Sequence, residues 1–160
     1  MSYLCQKSFL MSAAAIQPRE KETGHSTIFS RYEKSITDLF TIVVEAKKGV
    51  NARAFFDMVS LSGIDRNKMA DVMNVSLKTL LRYQEQNKKL NATKSERVLK
   101  LIALYKKGEE LFGDAGEFRK WMDQSAYGLG NMVPFELIHT SGGIDLIMEE
   151  LKRIEFGDLA

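Results

Sequence analysis

Cysteine is nearly missing from this chain: Cys5 stands alone among 160 residues. A single thiol cannot close an internal disulfide, so no disulfide framework is expected, and the usage suits a reducing compartment. Histidine is almost as scarce, and His25 and His139 stand far apart. There is no paired-Cys metal spacing, no phosphate-binding P-loop and no dinucleotide glycine fingerprint. His139, just before Thr140, reads as a cation at a helix C-terminus rather than a catalytic base. With no nucleophile, base and orienting group to assemble, enzymatic function has no support, and no cofactor or metal is expected. No apolar run approaches the roughly 20 residues that span a bilayer, so no membrane partner is expected. The apolar stretch Phe9–Ile16, with Ala13, Ala14 and Ala15, loosely mimics a signal-peptidase site. Only Lys7 precedes it as positive charge, and an unstructured arm is the better reading. Strand alternation and internal repeats are absent as well.

What remains is the composition of an ordinary globular protein, 44% hydrophobic and 28% charged, enough for one compact domain or two small ones sharing a core. The net charge of +2 hides a polarity. Residues 1–65 carry eight basic and seven acidic side chains, residues 66–107 eleven and three, and residues 108–160 four and eleven. A basic middle beside an acidic end is what two different partners would require, a polyanion for the first and a cationic surface for the second.

Nearly every periodic segment reads as helix. Residues 1–27 lack sustained periodicity, and Pro18 and Gly24 mark them as a mobile arm. Ile36, Leu39, Phe40 and Val43 follow helical spacing up to a stop at Gly49. Asn51 can cap a second helix burying Phe55, Phe56 and Val59 and ending near Gly63. Thr93 and Glu96 form a capping-box pattern ahead of Val98, Leu101, Ile102 and Tyr105, and Gly113 closes that helix. Asp114 and Glu117 repeat the device before Phe118, Trp121 and Met122. Pro134 suits the first turn of a short helix holding Leu137 and Ile138. The last helix buries Ile144, Ile147, Met148, Leu151 and Ile154.

Between Arg66 and Gln84 lie two short helices around a tight turn. Met69, Ala70 and Met73 bury the first, and Ala70 is small enough for a close, steep crossing. Asn74 falls where the turn needs positive φ, Val75 plugs the core beneath it, and Ser76 caps the second helix. Leu80 and Tyr83 face inward, which leaves Lys78, Thr79 and Arg82 turned toward base edges and phosphates. The run Met69-Ala70…Met73-Asn74-Val75-Ser76…Thr79-Leu80-Leu81-Arg82 resembles the helix-turn-helix of Xre-type regulators. Leu81 departs from the small polar residue usual there, and suits a thymine methyl or a partner helix. Arg66, Lys88 and Lys89 complete the candidate DNA-binding set with Ser76, Lys78, Thr79 and Arg82.

The closing segment carries a second resemblance. Trp121-Met122, Ser125-Ala126, Leu129-Gly130-Asn131, the stretch from Pro134 to Thr140, Gly143, and the run Leu151-Lys152-Arg153-Ile154-Glu155-Phe156-Gly157 resemble the toxin-binding domain of Xre/MbcA/ParS antitoxins. The final run matches well. The loop from 124 to 133 lacks the family's Pro-Asn and has Asn131 for a glycine. Trp121 and Ile154 read as core. The resemblance implies a RES-domain toxin as partner, an enzyme that consumes NAD. Arg153, Glu155, Phe156, Gly157, Asp158, Leu159 and Ala160 would then form an acidic, aromatic peg for the pocket that attracts the NAD pyrophosphate.

These readings combine into an all-α chain: an arm over 1–27, a dimerising and Xre-like helix-turn-helix region over 28–113, and a small helical toxin-binding domain over 114–160. The expectation is a cytoplasmic, homodimeric antitoxin that occludes its toxin and represses its own operon at operator DNA. A free-standing transcription regulator with another protein partner, or a scaffold that no longer binds DNA, stay open on the residues alone.

Overall fold

The structure, a computed structural model, describes the backbone of residues 20–157 and side chains from Gly24 onward. Among the described residues it is all-α, without a strand. The helices are α1 (Glu20–Tyr32), α2 (Leu39–Lys48), α3 (Arg53–Ser62), α4 (Arg66–Met73), α5 (Leu77–Glu85), α6 (Ala92–Phe112), α7 (Ala115–Met122), α8 (Pro134–Leu137) and α9 (Ser141–Glu155). No helix among the described residues is long and apolar enough to cross a membrane. The readings placed on Cys5, Phe9–Ile16 and Pro18 lie outside the described residues.

The fold is organised around α6. Its 21 residues make a rod about 31 Å long at 1.5 Å per residue, and α1, α2, α3, α4, α7 and α9 all pack on it. Surrounded in this way, it buries Val98, Leu99, Leu101, Ile102, Leu104 and Tyr105, well beyond one stripe. A single apolar cluster runs from Phe55 and Met69 through α6 to Phe118, Ile147 and Leu151. Gly108 lets α7 press close, because a Cβ there would lie 2.4 Å from the Phe118 ring. Phe118 in turn meets Tyr105 edge-on and stacks against Trp121, which is half-buried in the core as expected.

Local chemistry ends most elements where the sequence indicates. Gly49, Gly63 and Gly113 follow α2, α3 and α6 with positive φ, Asp114 accepts from the Glu117 N–H at 2.8 Å, and Pro134 opens α8. Asn51 accepts from the Arg53 N–H at the start of α3. Three expectations need correction. The cap of α6 is Asn91, which accepts from the Lys94 N–H at 2.9 Å. Thr93 therefore lies inside the helix, and Glu96 turns to Ser141 and Lys100.

Of the stretch expected as an arm over 1–27, the part from Glu20 onward is helical. Apolar periodicity misses α1 because polar anchors hold much of it. His25 Nδ1 lies 2.6 Å from Glu109, Arg31 donates to Asp57 at 2.6 Å, and the buried Tyr32 donates to the same carboxylate at 2.7 Å. Burial against these groups raises the Tyr32 phenol above its ordinary pKa.

The third correction concerns where α2 begins. The buried residues are Ile42 and Ala46, whereas Leu39, Phe40 and Val43 are exposed, Phe40 at 78%. Ile36 lies in the connector before the helix, which starts only at the Asp38 cap. Two apolar stripes coexist on this helix, and periodicity reveals a helix without saying which stripe meets α6.

Candidate nucleic-acid and partner-binding surfaces

The helix-turn-helix forms because each turn position has the residue that its backbone requires. Asp65 opens α4 by accepting from the Asn67 and Lys68 N–H groups at 2.9 and 3.4 Å, and those donors hold its carboxyl below the ordinary range. Asn74 closes α4 at φ 50°, in the left-handed region that asparagine tolerates. Ser76 then caps α5, accepting from the Thr79 N–H at 3.2 Å. Met69, Ala70, Val72, Met73 and Leu80 are buried beneath the turn, with Val75 packed against them. From α6, Arg97 donates to the Val72 carbonyl at 2.9 Å and so ties the end of α4 to the central rod.

This frame leaves Lys78, Leu81 and Arg82 exposed on one face of α5, with Arg66 and Lys68 exposed at the start of α4. Thr79 is half-buried, and its hydroxyl accepts from Ser76 Oγ at 2.8 Å. Its role in the cap is thus evident in the structure. Tyr83 is half-buried, and both Arg82 and Lys88 set a cationic group 5.7 Å from its ring centroid. The ring orients two cations at the exit of α5. Lys89 is exposed and donates to the Lys48 carbonyl at 3.3 Å. An exposed row of cations over a rigid two-helix frame is suited to binding phosphates and base edges.

Against the same half of α6, α9 begins at a Thr140 cap on the Gly143 N–H and buries Ile144, Ile147 and Leu151. A buried cation fastens its first turn to α6. Lys100 Nζ lies 2.8 Å from Asp145, 2.9 Å from Ser141 Oγ and 3.1 Å from Glu96, and the Ser141 hydroxyl donates to Glu96 at 2.8 Å. Burial pushes the Glu96 carboxyl up, but the Ser141 hydroxyl and the Lys100 ammonium bring it below the ordinary range. All charges in this cluster are partnered, as buried charge requires.

The closing run differs from expectation in two residues. Arg153 and Glu155 belong to the last turn of α9, not to a tail beyond it. Both are engaged within the chain: Arg153 pairs with Glu150 at 2.7 Å and donates to the Gly128 carbonyl at 3.2 Å, while Glu155 pairs with Lys107 at 2.6 Å. The helical i, i+3 geometry and the neighbouring loop capture Arg153, and α6 captures Glu155 through Lys107. Phe156 then caps the helix, 81% exposed, and Gly157 turns with φ 69°. Asp158, Leu159 and Ala160 lie outside the described residues.

Three exposed apolar residues escaped the sequence reading: Tyr127, Met132 and Leu146. Leu146 was detectable, since it falls off the stripe of Ile144, Ile147 and Leu151. Tyr127 was not, because its display depends on how the loop is clamped. The Ala126 N–H donates to the Met132 carbonyl at 3.0 Å, Arg153 holds Gly128, and the buried Glu150 carboxylate fits beneath Gly128, where a Cβ would come within 2.0 Å of it. Tyr127 projects from this clamp, 82% exposed.

Comparison with known proteins assigns the two surfaces to two domains. Residues 42–103 match the antitoxin Xre-like helix-turn-helix domain, and residues 107–157 match the antitoxin Xre/MbcA/ParS C-terminal toxin-binding domain. The chain is also similar to a Prs ADP-ribosylating antitoxin from Sphingobium sp. (strain YBL2), 27% identical over 138 residues that cover 81% of this chain and 85% of the relative. The two matched ranges meet inside α6, so one helix serves both.

Proposed function

We propose that this chain, which matches an antitoxin Xre-like helix-turn-helix domain and an Xre/MbcA/ParS toxin-binding domain, neutralises a RES-domain toxin by occlusion and represses its own operon through α5. The observation that carries the first half is Phe156, an aromatic left in solvent at the end of α9 within the toxin-binding domain. An exposed aromatic on a rigid helix end loses little conformational freedom on docking, which makes it a good anchor. Phe156 leads the segment that enters the toxin, and Arg153 and Glu155, exposed beside it although paired within the chain, flank that contact. The relative's printed name points to an ADP-ribosylating system. ADP-ribosyl transfer draws on NAD, which supports a toxin whose pocket attracts a pyrophosphate and would accept an acidic chain end in its place.

The second half rests on the exposed cations of α5 and the loop after it. Helix-turn-helix proteins commonly read two half-sites as dimers, and the exposed stripe of Leu39, Phe40 and Val43 on α2 is where we place self-association. The protein acts by binding, in the cytoplasm where operator and toxin both reside. A regulator with some unrelated protein partner is less well supported, given the match over 107–157.

Removal of residues 156–160 tests the reading, since it spares Ile154 and the Glu155–Lys107 pair. Cells expressing the adjacent toxin gene should lose protection, while the truncated protein still shifts the DNA upstream of its own gene in a gel. Full protection by a folded truncation would move neutralisation to another surface.

A further inference from the structure

The turn between α2 and α3 and the loop leaving α5 run side by side as a short ribbon. The Leu90 N–H donates to the Val50 carbonyl at 2.8 Å and the Ala52 N–H to the Lys88 carbonyl at 3.0 Å. Asn51 bridges to Lys89, and its side-chain amide donates to Asn87 Oδ1 at 2.5 Å. Gly49 permits the close approach, since a Cβ there would stand 2.8 Å from the Leu90 carbonyl and 3.3 Å from Lys89 Cβ. The pairing brings together cations that lie far apart in sequence, with Lys89 bonded to the Lys48 carbonyl 41 residues away. Lys47, Lys48 and Arg53 thereby join Lys88 and Lys89, and all five are exposed.

This cluster is continuous with the recognition helix. Arg82 and Lys88 flank the same Tyr83 ring, so positive charge passes from the outer face of α5 through Lys88 and Lys89 onto the turn after α2. The local counter-charge is small. Glu45 pairs with Lys48 at 2.5 Å, and Arg53 stands 3.8 Å from Asp57, a carboxylate already bonded to Arg31 and Tyr32. Lys47 has no ion pair among the described residues and Arg53 only this long one to a shared carboxylate, so both can engage an outside anion. Cations at a helix C-terminus also favour the helix dipole, which accounts for Lys47 and Lys48 but not for Arg53, at the start of α3.

The geometry points to the α2–α3 turn, through Lys47 and Arg53, as a phosphate clamp that grips the DNA backbone beside the site read by α5. The proposal rests on the DNA-binding reading and extends the interface to an element outside the helix-turn-helix. Phosphate contacts fix register and add affinity without carrying sequence information, so the clamp acts equally on any duplex.

Fluorescence anisotropy with two labelled 30-base-pair duplexes tests it, one from upstream of the gene and one of unrelated mixed sequence, across a salt series. In the K47A/R53A double variant the slope of log affinity against log salt should be shallower by about two units. Binding at 0.1 M salt should weaken roughly 50-fold on both duplexes. Each single variant should lose about one unit of slope, and K47R/R53K should restore both measures. Lys120→Ala removes an exposed cation on α7 that pairs with Glu117, and should leave slope and affinity unchanged. Wild-type slope and affinity in the double variant would overturn the clamp while leaving DNA binding intact. An equal loss in Lys120→Ala would overturn it too, since bulk charge would then suffice. A wild-type protein that binds neither duplex would remove the DNA-binding reading itself and the clamp with it.

Discussion

Replacing Phe156 by alanine separates folding from toxin recognition more cleanly than any other single change. The side chain is 81% exposed, so the fold buries little of it. For a ring of about 200 Å², the buried remainder is about 40 Å², which at about 25 cal/mol per Å² stabilises the free protein by about 1 kcal/mol. That corresponds to a melting-point shift of roughly 2–4 °C in a domain of this size. If Phe156 seats in the toxin, the exposed remainder, about 160 Å², is buried there, worth up to about 4 kcal/mol. Truncating an interface anchor of that kind commonly removes about 2–4 kcal/mol, or roughly 30- to 1,000-fold in Kd. Biolayer interferometry against the purified toxin, with a thermal melt of each antitoxin, reads both quantities. A variant that melts within a few degrees of wild type and binds the toxin within three-fold would refute the anchor. Glu155→Lys is a useful companion. It turns the 2.6 Å pair with Lys107 into a repulsion worth about 1 kcal/mol near water, while opposing a cationic toxin pocket.

On the DNA side, Arg82→Ala and Lys78→Ala should each weaken binding to the upstream duplex and flatten its salt dependence by about one unit of slope, read in a gel-shift salt series; unchanged slopes would take α5 out of the interface. Phe40→Glu, at a 78% exposed site, should leave the melting point within a few degrees of wild type and convert a dimer to monomer in light scattering. A wild-type protein that is monomeric with and without DNA would count against self-association through α2. Gly108→Ala forces a methyl to within 2.4 Å of the Phe118 ring and should destabilise by about 1–3 kcal/mol, lowering the melting point without altering the affinity of the folded protein for the toxin. The Glu96 carboxyl titrates below its ordinary value of 4.5, so its stabilisation is fully present above that pH and is lost as pH falls through the folded pKa. Glu96→Gln should therefore flatten the acid limb of the stability profile, and an unaltered limb would assign it to other carboxylates.

The order and kind of the elements were legible because they depend on local chemistry. Asp114 ahead of α7, Pro134 opening α8, Asn74 in the turn and Ser76 ahead of α5 each satisfy backbone groups within a few residues, so their signals lie in short strings. The clustering of basic residues between 66 and 107 was equally visible, because charge needs no fold to be counted. The resemblance at the closing run fell within the stretch that matches the toxin-binding domain, 107–157, and the stripe of Ile144, Ile147 and Leu151 gave the buried face of α9.

Other features depended on which surfaces meet. α1 lacked a periodic signal because its anchors, Glu109 and Asp57, lie on α6 and α3. The apolar spacing of α2 did not say which face meets α6: Ile42 and Ala46 make that contact and leave Leu39 and Phe40 to solvent. No local signal revealed that Gly128 and Lys107 hold Arg153 and Glu155. By itself the sequence determined an all-α chain with a helix-turn-helix, a basic middle and an acidic end, because caps, periods and charges act over a few residues. Tertiary structure alone decided which apolar faces stay exposed, which charges stay unengaged and which distant cations share a surface, because those depend on contacts between segments that no local pattern encodes.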